Sequence, residues 1–204
     1  MNEGLWAFER AARENGYAAV AGLDEAGRGP LAGPVVSAAV ILPESFPVAG
    51  IRDSKTVRPK KWEQLFDAIH AHAIAVGVGI VSPADIDRMN ILQASLWSMG
   101  LAVDQLSVRP DFLLIDGIFP ISSDLPQKAI PKGDRLSISI AAASIVAKVT
   151  RDRIMDSYAA TYPEFAFSKH KGYPTKAHKE AIRRHGCCPI HRMTFKGVRE
   201  YCRE

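Results

Sequence analysis

Four acidic side chains of this 204-residue chain each follow a short apolar run that is typical of a β-strand. In open α/β sheets ligand sites lie at strand ends, so acids at neighbouring strand ends would meet at one edge. Crowded carboxylates raise one another's pKa unless a cation such as Mg²⁺ or Mn²⁺, which prefer oxygen ligands, compensates their charge. The four acids are Asp24, Glu25, Asp116 and Asp134. They predict a divalent-metal site, although turn capping or pairing with a lysine explains any single one equally well.

A glycine-rich turn follows the first two acids. The segment 22–42, GLDEAGRGPLAGPVVSAAVIL, predicts a strand, a glycine-rich turn and a second strand, with Asp24 and Glu25 at the end of the first strand. Because glycine lacks a Cβ, the backbone at Gly27 and Gly29 can approach a ligand closely. For an acid pair set among glycines, a ligand-binding role fits better than a capping role.

Apolar periodicity predicts the elements that position these residues. We expect helices at 3–15, 59–72, 83–106, 137–158 and 176–185, and strands within 22–42 and at 74–81 and 112–115, with a short apolar run at 127–130. Because strands and helices interleave, the predicted fold class is α/β, a mixed β-sheet flanked by helices.

The composition indicates an ordinary globular protein, with 47% hydrophobic and 24% charged residues. A net charge of +4 is compatible with a polyanionic partner without establishing one. Three cysteines late in the chain and a charged amino-terminal segment without signal-peptide character predict a reduced, cytoplasmic setting. No apolar run approaches the roughly 20 residues that span a bilayer, so we expect a soluble protein without a membrane partner.

Six motifs carry a resemblance to a known family. They are DEAGRGPLAGPVV from position 24, DSK at 53–55, LLIDG at 113–117, KGD at 132–134, SIAAASIVAKVTRD at 139–152 and HKGYPT at 170–175. In this order they resemble the bacterial type 2 ribonucleases H, the ribonuclease HII family, and the similarity extends from Gly22 to Phe195. The resemblance implies a ribonuclease H-like catalytic core over 1–160. It also implies a small helical appendage over 161–204 that contributes to substrate binding, within one compact unit.

The same resemblance implies an activity. The chain is expected to be a metal-dependent endonuclease, a monomer, that hydrolyses the RNA strand of RNA–DNA hybrids. It is also expected to incise duplex DNA on the 5′ side of embedded ribonucleotides, leaving 5′-phosphate and 3′-hydroxyl ends. The family's catalytic, metal-binding carboxylates match Asp24, Glu25, Asp116 and Asp134. Two Mn²⁺ or Mg²⁺ ions would act with substrate bound, one helping to generate hydroxide and the other stabilising the leaving 3′ oxygen.

Further residues match the family's substrate contacts. Gly27, Arg28 and Gly29 resemble the reader of the ribose 2′-hydroxyl, with Arg28 holding a neighbouring phosphate. Tyr173 matches a tyrosine that packs on the deoxyribose beyond the ribonucleotide. A structural turn and a surface-packing tyrosine are the plainer interpretations. The remaining candidates, mostly for backbone phosphates, are Lys55, Ser144, Lys148, Lys169, His170 and Lys171. A solvated surface explains each lysine equally well, and helix packing explains Ser144 more simply.

Other interpretations stay open at this point. A hybrid-only type 3 ribonuclease H or a DNA junction nuclease would use similar acids on a similar fold. A nucleic-acid-binding module without chemistry fits less well, because lysine or asparagine in place of the acids would raise its affinity. A zinc site could form from histidines and cysteines near the carboxyl end, but adjacent cysteines are poor ligand spacing. Its members would be His185, Cys187, Cys188 and His191.

Overall fold

The computed structural model describes residues 3–46, 51 and 59–201; the DSK motif at 53–55, with Lys55, lies outside the described residues. The strands are β1 (Val20–Ala26), β2 (Val35–Ile41), β3 (Ala75–Val81), β4 (Phe112–Asp116) and β5 (Gln127–Ile130). The α-helices are α1 (Ala7–Glu14), α2 (Pro59–His72), α3 (Pro83–Met89), α4 (Ile91–Asp104), α5 (Ile138–Thr161), α6 (Phe167–His170) and α7 (Lys176–His185). Short 3₁₀ turns lie at Glu3–Trp6, Gly133–Arg135 and Pro163–Phe165.

The strands form one mixed sheet in the order β3-β2-β1-β4-β5. β2 is antiparallel to both β1 and β3, whereas β4 is parallel to both β1 and β5. In the central parallel pair Leu23 lies opposite Ile115, so the residues that follow them, Asp24 and Asp116, come to the same edge. The predicted α/β class, a mixed sheet with helices against it, is confirmed.

Glycines in the sheet allow two helices to pack closely against its opposite faces. A Cβ on Gly22 of β1 would lie 2.2 Å from the carbonyl carbon of Ser139 in α5. A Cβ on Gly79 of β3 would lie 2.0 Å from the carbonyl oxygen of Ser98 in α4. Both distances are far below van der Waals contact, so these positions require glycine. The small-residue character of α5 therefore serves close packing on the strand that carries Asp24.

β2 is buried along its whole length, because α5 covers one face of the sheet and α4 covers the other. Val40 belongs to the apolar cluster around α5, and its neighbour Ile41 belongs to the cluster around α4. This two-sided burial explains why the sequence of β2 is a continuous apolar run without alternation. Within the described ranges, no helix is both long and apolar enough to cross a membrane.

The chain after α5 packs against the turn between β1 and β2. Leu31 and Ala32 of that turn share an apolar cluster with Phe167 and Ile182. The Leu31 amide also donates a hydrogen bond to the Gly172 carbonyl at 2.8 Å. The carboxy-terminal segment therefore helps to shape the glycine-rich turn that the sequence singled out.

Candidate active site

The sheet brings three of the four predicted acids together at one edge, which we call the acidic edge. Asp24 is buried near the end of β1, with 5% of its surface exposed. Its Oδ1 accepts a hydrogen bond from the Glu25 amide at 2.7 Å, and the Ser144 side chain of α5 also bonds to it. Asp116, the last residue of β4, is near enough for its charge to act on both Asp24 and Glu25.

Burial is the largest electrostatic effect on the two carboxyl groups at the end of β1. Burial raises the pKa of Asp24 well above its ordinary value, and the charges of Glu25 and Asp116 raise it further. Burial also raises the pKa of Glu25, and Asp116 adds to the increase, while an ion pair with Arg28 opposes it. In that pair Arg28 Nη1 donates to Glu25 Oε1 at 3.2 Å. The edge is therefore under-compensated in positive charge.

The fourth acid, Asp134, lies beside Asp116. The backbone amide of Asp134 donates to Asp116 Oδ1 at 3.4 Å. The turn that carries it begins after Lys132, whose φ of 59° is left-handed. A Cβ on the intervening Gly133 would lie 2.6 Å from the Ile140 side chain, so close packing on α5 holds this turn at the sheet edge. All four predicted acids are thus neighbours at one edge, each in contact with at least one other.

The donor chemistry of this edge fits a hard divalent cation. Carboxylate oxygens are the ligands that Mg²⁺ and Mn²⁺ prefer, and Mg²⁺ keeps several water ligands of its own. The raised pKa values of Asp24 and Glu25 indicate negative charge that a cation would compensate. Within the described ranges, however, no group of three or more His, Cys, Asp or Glu side chains is arranged so that it could hold a metal ion. The acids are therefore close neighbours, but their side chains do not form a complete metal-binding site in this conformation.

A cavity of about 300 Å³ opens next to the acidic edge. Glu25, Arg28 and Asp116 line its polar side. Met99 of α4 and the partly exposed Phe119 contribute to its apolar side. The cavity gives Glu25 and Asp116 access to a ligand, and its lining combines charged groups with apolar surface.

Arg192 holds the turn between β1 and β2, which we call the glycine loop (residues 27–34). The side chain of Arg192 is fully buried. Its Nη2 donates to the Gly27 carbonyl at 2.6 Å, Nη1 to the Arg28 carbonyl at 3.0 Å and Nε to the Gly33 carbonyl at 3.0 Å. Burial, with the nearby charge of Arg151, lowers the pKa of Arg192 to about 9.

Arg151 of α5 holds the other end of the glycine loop. Its Nε donates to the Pro34 carbonyl, its Nη2 to the Ala32 carbonyl and its Nη1 to the Lys171 carbonyl, each at 3.0 Å. Gly27 has a φ of 101°, and a Cβ there would lie 2.1 Å from Arg151 Nε. The fold itself therefore requires glycine at position 27.

Neither arginine was predicted as a functional residue from the sequence. Arg151 carried a usable signal, because it lies four residues after Ala147 and four before Met155, on the buried stripe of α5. A charged residue on such a stripe is unusual and points to a specific set of partners. Arg192 carried no such signal, because it lies in irregular chain after α7.

Gly29 and Tyr173 form the outer side of the glycine loop. A Cβ on Gly29 would meet only the Tyr173 ring, at 3.8 Å, and Gly29 does not have a positive φ. Tyr173 is 44% exposed. Unlike Gly27, Gly29 is therefore not required by the fold, and the space above it is open to a ligand.

Two further candidates lie on α5, one turn apart. Ser144 bonds to Asp24 and lowers the pKa of that carboxyl group, opposing the effect of burial. Ser144 therefore contacts the acidic edge through Asp24, and its contact with substrate stays a prediction. Lys148 Nζ donates to Asp152 at 2.5 Å and is half-buried.

The candidates before Tyr173 differ in exposure. His170 Nε2 donates to the Phe165 carbonyl at 2.8 Å, so this ring is held by the protein. Lys171 forms an ion pair with Asp156. Lys169 is exposed. A substrate phosphate would have to compete for Lys171, whereas Lys169 is accessible.

The alternative zinc site is not formed. Cys188 is buried with a free thiol, and burial raises its pKa to about 11. Its Sγ lies 3.1 Å from Nδ1 of His191, whose Nε2 lies 3.1 Å from Nε2 of His178. Cys187 is disulfide-bonded, so the expectation of reduced cysteines is wrong for this residue. Among the described residues, no set of histidines and cysteines could hold a metal.

Known proteins resemble this chain along nearly its whole length. The family model for ribonuclease HII matches residues 21–198. A ribonuclease HII of Geobacter metallireducens is 58% identical and covers 97% of this chain and 92% of its own length. A ribonuclease HII of Syntrophotalea carbinolica is 52% identical, over 95% of this chain and 93% of its own.

Solved structures agree with these relatives. Ribonuclease H2 from Pyrococcus horikoshii OT3 superposes with a TM-score of 0.76 at 29% identity, over 91% of this chain and 97% of its own. Bst-RNase HIII in complex with Mn²⁺ shares the fold, with a TM-score of 0.69 at 20% identity, over 94% of this chain and 71% of its own. The fold and these matches define a nuclease of the ribonuclease H class, a hydrolase of phosphodiester bonds. The chain belongs to the ribonuclease HII family, endonucleases that act on the RNA of RNA–DNA hybrids.

Proposed function

We propose that this chain also incises duplex DNA on the 5′ side of single embedded ribonucleotides, using two divalent cations and leaving 5′-phosphate and 3′-hydroxyl ends. The observation that carries the proposal is the direct connection of the acidic edge to the glycine loop. β1 delivers Asp24 and Glu25, and the chain enters the loop two residues later at Gly27. The ion pair between Arg28 and Glu25 links the two regions again. A phosphodiester at the acids would therefore bring its ribose to the loop.

The residues that would hold the cations are the four of the acidic edge. Oxygen ligands and uncompensated negative charge support this assignment. When bound, the cations would supply an activated water and stabilise the leaving 3′ oxygen. Mn²⁺ is the natural first ion to test, because the related Bst-RNase HIII is described in complex with it. The ligands are Asp24, Glu25, Asp116 and Asp134.

The chain's own residues would orient the acids and the substrate. The Glu25 amide and Ser144 hold the buried Asp24 carboxyl group in a defined orientation. Arg28 is exposed and would bind a phosphate of the cleaved strand, exchanging its partner Glu25 for the phosphate. The exposed Tyr173 ring beside Gly29 would pack on the sugar that follows the ribonucleotide.

The duplex on either side would be held by its phosphates. Lys169 is exposed for such a contact, and Lys148, His170 and Lys171 are proposed with it.

We propose that residues 161–204 act as an appendage to a catalytic core of 1–160, because the former carry Tyr173 and the latter the acids. We further propose a cytoplasmic monomer, since duplex nucleic acid is found in that compartment and one chain carries every proposed contact. Lys55 completes the proposed phosphate contacts.

Three duplexes of one sequence test the proposal: all-DNA, DNA with one ribonucleotide, and an RNA–DNA hybrid. With Mn²⁺ or Mg²⁺ we expect 5′ incision at the ribonucleotide, cutting of the hybrid and no cutting of the all-DNA duplex. Asp104→Asn, at the exposed end of α4, is the matched control and should behave like the wild type. Cutting of the hybrid without incision at the single ribonucleotide would refute the proposal and favour hybrid-only activity.

A further inference from the structure

The peptide groups of the glycine loop have a fixed direction. The carbonyls of Gly27 and Arg28 both point inward and accept hydrogen bonds from Arg192. In a planar trans peptide the N–H points opposite to the C=O of the same unit. The N–H groups of Arg28 and Gly29, which belong to these two peptide units, therefore point away from Arg192.

The two outward N–H groups are available to a ligand. Arg28 and Gly29 are both exposed. Neither amide donates a hydrogen bond to another residue in the described part of the chain. Gly29 also has open space where a side chain would stand, apart from the Tyr173 ring. The loop thus presents two adjacent donors to the solvent, next to the acidic edge.

Arg192 both directs and strengthens these donors. A guanidinium group offers several N–H donors in a planar fork, so one side chain can hold three carbonyls at once. Because the charge is buried, it polarises the peptide units bonded to it more strongly than it would in water. Arg151 braces the same loop from the side of α5. Both arginines thus bond to carbonyls of the loop without any substrate present.

We propose that Arg192 is a positioning residue that aims the Arg28 and Gly29 amides at an acceptor oxygen of the ribose, and so sets the preference for ribonucleotides without touching the substrate. This inference rests on the proposed function. A positioning role differs from a purely structural one, in which Arg192 would only join the carboxy-terminal segment to the loop. A structural role would weaken binding to every duplex equally, whereas a positioning role changes the ratio between duplexes.

The test compares dissociation constants for two duplexes that differ by a single 2′-hydroxyl. All variants carry Asp116→Asn, which prevents turnover. Arg192→Met removes the charge and the donors, whereas Arg192→Lys keeps the charge but replaces the planar fork of donors by a single ammonium group. We expect both to lose the preference for the ribonucleotide duplex by about tenfold, the effect of one hydrogen bond, while affinity for all-DNA duplex is retained. Arg184→Met, on the exposed face of α7, is the control and should leave the ratio unchanged.

Should the Arg192 variants fail to fold, a second measurement tests the proposal on the protein with native Arg192. In ¹⁵N NMR spectra of the Asp116→Asn protein, the amide signals of Arg28 and Gly29 should shift with the ribonucleotide duplex more than with the all-DNA duplex. Equal shifts, or folded Arg192 variants that retain the full preference, would overturn the inference. Absence of any preference in the protein with native Arg192 would instead refute the proposed function, so the two failures are distinguishable.

Discussion

The acidic edge and the glycine loop are adjacent but are stabilised in opposite ways. At the acidic edge, carboxylates crowd together and burial raises the pKa of Asp24 and Glu25. In the glycine loop, Arg192 and Arg151 satisfy five inward-facing carbonyls. The protein itself supplies positive charge to the loop through two buried arginines, whereas at the acidic edge the Arg28–Glu25 ion pair opposes the rise in the pKa of Glu25 without cancelling it. The chain therefore holds the glycine loop in place by itself, while the acidic edge presents carboxylate oxygens of the kind that divalent cations prefer.

The largest expected effect is on turnover at the acidic edge. Asp116→Asn removes a carboxylate that we propose as a metal ligand, and we expect the incision rate to fall by about a thousandfold or more, because metal-assisted charge stabilisation is worth several kcal/mol. Duplex binding should persist, since the glycine loop remains intact. Single-turnover rates and dissociation constants provide the two measurements. Unchanged cutting would exclude Asp116 as a ligand.

Two glycines of the loop separate folding from recognition. Gly27→Ala forces a side chain into a left-handed backbone against Arg151 and should destabilise the fold by about 2–4 kcal/mol. Gly29→Leu has room within the protein and should change stability by less than about 0.5 kcal/mol, yet lower incision at a ribonucleotide at least about tenfold. Denaturant unfolding and incision assays measure the pair. An unaltered incision rate in Gly29→Leu would remove this position from recognition.

The buried Asp24 carboxylate should lower the free energy of unfolding at neutral pH. The pKa of Asp24 is higher in the folded than in the unfolded chain, so Asp24 lowers the free energy of unfolding at neutral pH, and this cost diminishes as the pH falls through the raised pKa. Asp24→Asn should therefore stabilise the fold at pH 7, although we expect it to abolish turnover. Thermal unfolding at several pH values measures this, with Asp104→Asn as the control. A destabilised Asp24→Asn protein would contradict uncompensated charge at the edge.

Two buried histidines of the carboxy-terminal segment should make the free energy of unfolding respond to acid in the opposite direction. Burial lowers the pKa of His178 and His191 to about 4, below the ordinary value of 6.5. Their contribution to stability is present above pH 6.5 and is lost as the pH falls towards 4, because the unfolded chain binds protons first. His178→Gln should reduce this loss by on the order of 1 kcal/mol between pH 7 and 5. The exposed His72→Gln is the control, and equal pH dependence in both variants would contradict the burial effect.

Much of the fold could be predicted from local sequence, because the spacing of apolar residues marks its helices and strands and glycines mark its turns. The strand–turn–strand at 22–42 and the packing helix α5 are found where expected. The expected helix over 83–106 is interrupted at Asn90, whose φ is 74° and whose side chain caps α4 by accepting from the Leu92 and Gln93 amides. An asparagine within a helical pattern was the available signal, but periodicity on both sides of it concealed the break.

The acids of the site could be predicted, whereas the support of the loop could not. Strand-end acids are a local pattern, and the parallel pairing of β1 with β4 brings Asp24 and Asp116 to the same edge. The contact of Arg192 with Gly27 joins residues 165 positions apart in the chain. Nothing local distinguishes an arginine that will be buried from one that will be solvated. Support from such distant residues depends on tertiary structure alone.

The decisive experiment is anomalous diffraction from crystals soaked in Mn²⁺, with a duplex containing one ribonucleotide bound. We expect Mn²⁺ peaks bound by carboxylate oxygens of Asp24 and Asp116 at the scissile phosphate, with the ribose against Gly29. Saturating Mn²⁺ that leaves these carboxylates unbound, or that binds elsewhere while the phosphate lies away from the acidic edge, would contradict it.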